Sequence, residues 1–149
     1  MRVLALDLGS KRIGVAVSDD AGTVATPIAT LARHRDTARL HREIADLVHE
    51  WEAGLLLLGL PIALDGTIGP AASAVLAVRD ELAAVVGVPV EVHDERLTTR
   101  LAEQALRSRG DLDSAARKQV IDQMAAAVIL QDWLDHHRAP DVPEGAADA

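Results

Sequence analysis

The seven residues at 54–60, GLLLLGL, hold the tightest constraint on the fold. A strand that covers only one face alternates apolar and polar side chains, and this run does not alternate. It reads as a strand buried on both faces, which requires helices above and below one sheet. At seven residues it is far too short to span a bilayer, and no longer stretch is apolar.

The elements around that strand follow a definite order. Three short strand-like runs come first, RVLALDL, RIGVAVSD and TVATPI, separated by turn material at Gly9-Ser10-Lys11 and Asp20-Ala21-Gly22. This spacing predicts an antiparallel meander. The period then changes: Leu40, Ile44, Leu47, Val48 and Trp51 mark a helix over about 37–52, with Asp36 as its N-cap. After GLLLLGL, the segment GPAASAVLAVRDELAAVVG predicts a helix with Pro70 in its first turn and Gly87 past its end. VPVEVHDE is the next strand, TTRLAEQALRSRG a helix stopped by Gly110, and AARKQVIDQMAAAVILQDWLDHH the last and longest helix. Three hairpin-joined strands followed by helix–strand–helix–strand–helix predict an α/β fold with a mixed five-stranded sheet, its later connections being right-handed parallel crossovers. This is the element order of a ribonuclease H-like fold, with doubly wound nucleotide-binding folds as competitors.

The 149 residues suit one domain that buries roughly 70% of the unfolded surface. We read residues 1–138 as that domain and 139–149, APDVPEGAADA, as a flexible acidic tail. The core must be packed by Ala, Val and Leu, because the chain has no Phe and no Tyr and only Trp51 and Trp133. The absence of Cys excludes disulfides and thiolate metal sites, and the six histidines show no zinc-ligand spacing. No signal peptide precedes the first strand, so a soluble cytoplasmic protein with no membrane partner is expected. A net charge of −8 argues against a polyanionic partner. The distribution tempers this, because Arg33, Arg35, Arg39 and Arg42 form one basic group and Arg96, Arg100, Arg107, Arg109, Arg117 and Lys118 another.

Three acids stand where a bland residue would serve better. Asp7 interrupts the run Val3-Leu4-Ala5-Leu6 and Leu8. A carboxylate in such a strand costs several kcal/mol unless it is paired or binds a cation; the plain alternative is an Asx-turn residue leading into Gly9. Asp94 and Glu95 close the VEVHDE strand at its carboxyl end, where open α/β sheets present ligand groups. Alternation sets Glu91, His93 and Glu95 on one face and Val90, Val92 and Asp94 on the other, without choosing between the two acids. Asp122 shares a helix face with Ala125 and Ala126, a stripe that lets the backbone press on the sheet; its alternative is a surface pair with Lys118. Oxygen ligands from three elements suit Mg²⁺ or Mn²⁺. Two such ions about 4 Å apart, with substrate bound, activate water and stabilise the leaving oxygen in phosphodiester hydrolysis. Lys11 and Arg12, in the turn after Asp7, are then placed to meet phosphate.

Four blocks in this order, ALDLGSKRIGVAVSD, GLPIALDGTIGP, VHDERLTT and IDQMAAAVILQDWL, resemble the YqgF/RuvX family of Holliday junction resolvases, also described as pre-16S rRNA nucleases. The likeness runs from Val3 to Leu134. It implies a ribonuclease H-like fold and metal-dependent endonucleolytic cleavage of structured nucleic acid, either precursor ribosomal RNA or branched DNA. It also implies Glu95 rather than Asp94 as the partner of Asp7 and Asp122 in a catalytic, metal-binding set. Lys11, Arg12, Arg96, Arg117 and Lys118 are the expected phosphate contacts, and without Phe or Tyr recognition should rest on backbone charge and shape. A symmetric junction would favour a homodimer, and end trimming of RNA a monomer. Two other classes fit parts of the chain: a non-catalytic ribosome-maturation factor that keeps the fold, and a phosphate-binding ATPase, for which 149 residues lack the second domain.

Overall fold

The computed structural model describes residues 1–96 and 114–137, the stretch 114–123 as backbone alone. Its elements are β1 (Arg2–Leu8), β2 (Arg12–Ser18), β3 (Ala25–Ala32), α1 (Thr37–Glu50), β4 (Ala53–Leu60), α2 (Pro70–Ala83), β5 (Val90–Asp94) and α3 (Ser114–His137). The strands form one sheet in the order β3-β2-β1-β4-β5. β1 pairs antiparallel with β2, and β2 with β3, which gives the expected meander. β4 runs parallel to both β1 and β5, so the carboxyl ends of β1, β4 and β5 share one edge of the sheet. The predicted helix 98–110 and the acidic tail 139–149 lie outside the described residues.

Alternation along the strands divides the interior into two cores. Leu4, Leu6, Ile13, Val15, Leu56 and Leu58 face α1 and α2, where Leu40, Ile44, Val48, Val75 and Leu82 meet them. Val3, Ala5, Ala16, Leu55 and Leu57 face α3, which contributes Ala126, Ile129, Leu130, Trp133 and Leu134. The uninterrupted leucines of β4 therefore serve both cores, as the lack of alternation required. Small residues set the spacing on the α3 side, for Ala5, Ala16 and Ala126 are all completely buried. The backbones approach closely there, and dispersion contacts supply what aromatic volume would otherwise fill.

Local signals set most element ends. The Asp36 carboxylate accepts a hydrogen bond from the Arg39 N–H at 3.2 Å and caps α1. Pro70 opens α2, but that helix ends at Ala83 rather than running on to Gly87. The N–H groups of Val85 and Val86 both fold back onto the Leu82 carbonyl, and Gly87 then turns at φ +74°. Two consecutive β-branched valines, poorly suited to continuing a helix, favour this early stop. Ser18 is the buried polar residue of the sheet; its Oγ accepts from the Val3 N–H at 2.8 Å.

Candidate active site

Asp7 stands on β1 on the α3 face, continuing the Val3–Ala5 row, and its antiparallel partner is Gly14, which adds no side chain beside it. Glu95 is the first residue beyond β5. Its N–H donates to the Leu60 carbonyl at 3.2 Å, which carries the β4–β5 ladder one step further. The Glu95 carboxylate lies back across β4 over Gly59. A Cβ built on Gly59 would overlap Glu95 Oε2 and stand 2.7 Å from Ile129 Cδ1. The middle strand thus lacks a side chain where the acids of its two neighbours converge, which is the close-approach role of a strand glycine.

The electrostatics agree with that placement. The Glu95 pKa rises from its ordinary 4.5 to about 7, first because burial disfavours the charged form and then because the Asp7 and Asp94 charges repel it. Asp94 points to the other face and behaves differently. Burial opposes its ionisation, but hydrogen bonds from the Arg96 side chain and backbone and the Arg96 charge outweigh that, and its pKa is lowered. Arg96 holds it at 2.8 Å through Nε, 2.7 Å through Nη2 and 3.0 Å through the backbone N–H. Of the two acids that strand period left open, Glu95 is the one that shares the Asp7 face.

The remaining expected residues separate into three situations. Lys11 is exposed in the β1–β2 turn and Arg12 is half-buried at the start of β2, both beyond the Asp7 end of β1. Arg96 is committed to Asp94 and stands at the rim of a cleft of about 310 Å³. Ile62, Leu64, Gly69, Ala71 and Glu95 also line this cleft, so the loop 61–69 opens toward Glu95. Asp122, Arg117 and Lys118 fall on α3, and their side chains lie outside the described residues. Position 122 has the helical register of Ala126 and Ile129, four and seven residues on. Among the described residues no three His, Cys, Asp or Glu side chains gather as a metal-ligand group.

One feature escapes sequence reading. His93 lies two residues before Glu95 on the same face, and its Nε2 meets Asp132 Oδ2 of α3 at 2.6 Å. This pair ties the edge strand to the helix. The histidine was legible only as an imidazole without metal spacing, because its partner lies 39 residues away. His136 and His137 are exposed at the helix end, as expected. Each ring nitrogen Nδ1 lies within hydrogen-bond distance of a carbonyl one turn back.

As a donor set, two carboxylates on one face, one of them resisting ionisation, fit a hard divalent cation. A cation removes the repulsion that raises Glu95 and needs no softer ligand.

Comparison with known proteins gives a consistent picture. The model of a family described as "RuvX: Holliday junction resolvase" matches residues 1–136. A Myxococcus xanthus protein named "Putative pre-16S rRNA nuclease" is 48% identical over 141 residues, covering 95% of this chain and 92% of its own. A protein of the same name from Thermoanaerobacter pseudethanolicus is 39% identical over 138 residues, covering 93% and 99%. Among solved structures, Thermus thermophilus RuvC in complex with a Holliday junction substrate superposes with a TM-score of 0.54 at 16% identity, covering 87% of this chain and 92% of RuvC. That likeness is one of fold, and it makes the mixed sheet the ribonuclease H-like arrangement the element order predicted.

Proposed function

Because the chain belongs to the RuvX family of Holliday junction resolvases, we propose that it is a divalent-metal-dependent endonuclease acting in the cytoplasm on structured nucleic acid, either precursor 16S rRNA or a four-way DNA junction. The observation that carries this reading is the convergence of Asp7 and Glu95 over Gly59, with Glu95 raised to about 7 by burial and by its neighbour. Stability alone gives no reason to keep two like charges there.

Asp7, Glu95 and Asp122 would hold Mg²⁺ or Mn²⁺. The path of α3 supports the third member. Leu134 approaches Gly22 at the β2–β3 turn, and Ile129 approaches Gly59, so the helix runs antiparallel to β1. Ile129 already stands beside Gly59, and position 122, on the same helix face, lies about 10 Å further along toward the carboxyl edge of the sheet. When bound, a pair of such ions supplies an activated water and a counter-charge for the leaving oxygen. Glu95 serves as a ligand only after losing its proton. Lys11, Arg12, Arg96, Arg117 and Lys118 hold the phosphates of the strand being cut, giving affinity with little base preference. No described helix is long and apolar enough to cross a membrane.

A cleavage panel of labelled precursor RNA, four-way junction and plain duplex, each with Mg²⁺, Mn²⁺ or chelator, tests the reading. Metal-dependent cutting of a structured substrate, abolished in Asp7→Asn with the fold intact, is the expected result. Binding without any cutting by the unmodified protein would instead make it a maturation factor.

A further inference from the structure

We propose that a second cleft, built around Arg33 on the face of β1 opposite Asp7, binds a phosphodiester of the same nucleic-acid strand; this rests on the nuclease reading above. Leu8 points to the α1–α2 side, and beyond it the chain turns at Gly9, whose N–H donates to the Asp7 carbonyl at 3.1 Å. A Cβ on Gly9 would stand 2.5 Å from the Arg12 carbonyl oxygen, so the turn is as tight as it can be.

Arg33 is the first residue past β3, and it is fixed onto this turn twice. Its backbone N–H donates to the Lys11 carbonyl at 3.0 Å, and its Nη1 donates to the Gly9 carbonyl at 2.8 Å. A guanidinium has five N–H donors, so most remain for a ligand. Beside it lies a cleft of about 180 Å³ lined by Leu8, Ser10, Pro61, Ala71 and Val75 with Arg33 itself. No carboxylate lines the cleft, and among the described residues none pairs with Arg33. With one guanidinium and no lining acid, the cleft is locally positive on a chain of net charge −8 and suits an anion.

The chemistry it fits is an oxyanion attached to a small, partly apolar group. The guanidinium and the Ser10 hydroxyl can meet phosphate oxygens, while Leu8, Pro61 and Val75 offer a dry wall to a sugar. The Gly9 N–H closes back on the Asp7 carbonyl, so the Gly9 carbonyl that Arg33 grips stands only two residues from Asp7. A strand crossing the end of β1 would therefore rest one phosphate near Asp7 and a neighbouring one on Arg33.

The test measures binding apart from cutting. In an Asp7→Asn background with chelator, fluorescence anisotropy follows a labelled hairpin RNA and a labelled four-way junction across a salt series. Arg33→Gln should weaken binding about 3- to 10-fold and reduce the slope of log K against log salt by about 0.7–0.9, one phosphate contact. Arg33→Lys should restore the slope. Ser10→Asp, which sets a competing carboxylate beside the Arg33 guanidinium while keeping the arginine, should weaken binding similarly, and Arg42→Gln on α1 should leave the slope alone. An unchanged slope in Arg33→Gln overturns the proposal even if affinity falls, because a merely structural arginine would give that result. Equal effects from Arg33→Gln and Arg42→Gln also overturn it. Binding with the expected slope change by a protein that never cleaves would sink the nuclease reading and leave this site standing.

Discussion

Adding one methyl group at Gly59 should disable the proposed site while leaving its acids in the sequence. In Gly59→Ala the new Cβ overlaps Glu95 Oε2 and lies 2.7 Å from Ile129 Cδ1, where apolar carbons ordinarily rest about 3.5–4.0 Å apart. Ile129 must retreat about 1 Å, but it is completely buried between the sheet and α3. Overpacking of this kind costs about 1–3 kcal/mol. In a chain of this length each kcal/mol lowers the melting temperature by about 2–4 °C. The Glu95 carboxylate must move by a similar distance away from Asp7, and a misplacement of about 1 Å can cost on the order of 100-fold in rate. The assay pairs thermal melting with Mn²⁺ titration calorimetry and cleavage. Gly59→Ala should melt several degrees lower, bind Mn²⁺ more weakly and cut about 100-fold more slowly. Adding Ile129→Val relieves the aliphatic clash and not the carboxylate, so it should recover melting temperature without recovering cleavage. A Gly59→Ala protein with unaltered Mn²⁺ affinity would refute the placement of Glu95 over β4.

Three further outcomes follow from the same structure. Asp7→Asn removes the charge that repels Glu95, so it should lose at least about 100-fold in cleavage while raising the metal-free melting temperature by a few degrees at pH 8; saturating Mn²⁺ should reverse that order by stabilising only the unmodified chain. Because Glu95 titrates near 7 in the folded chain and near its ordinary 4.5 in the unfolded one, the folded state binds the extra proton between those values. Metal-free stability contributed by this group should therefore fall as pH rises from about 4.5 to 7 and level off above, while Mn²⁺ affinity climbs over the same window; melting curves at pH 5 and 8 check this against Glu95→Gln, in which this contribution should vanish. Ser18→Ala leaves the buried Val3 N–H without its 2.8 Å acceptor and should cost about 1–3 kcal/mol in urea denaturation with no change in Mn²⁺ binding.

The fold was legible because its strongest signals are local and periodic. GLLLLGL declared a central strand, Asp36 and Pro70 marked helix starts, and the turns at Gly9 and Gly22 marked the meander. The strand after α2 was recognised, but the end of α2 was not, because Val85 and Val86 suit a helix face as well as the turn they form. The site was partly legible. Asp7 drew notice by standing in an apolar run, whereas strand period left Asp94 and Glu95 open and only the family resemblance favoured Glu95; seeing which of them shares the Asp7 face requires knowing which face of the edge strand meets α3. That is a tertiary fact, expressed here by the His93–Asp132 contact across 39 residues. Gly59 gave no sign, since a glycine in an apolar strand reads as weak packing until its neighbour's carboxylate is seen to lie over it.

The division of the interior into two cores has a consequence for how the protein comes into being. The core against α1 and α2 is made by residues 4–86, whereas the one under α3 cannot form until residues 126–134 arrive. During synthesis, which delivers the amino terminus first, Val3, Ala5, Leu55 and Leu57 wait with one side bare, and Glu95 lacks the helix that His93 will grip. A nascent chain can thus acquire its sheet early, but not the second core or the helix that flanks Asp7 and Glu95. The activity proposed above is therefore withheld until residues 126–134 have been made.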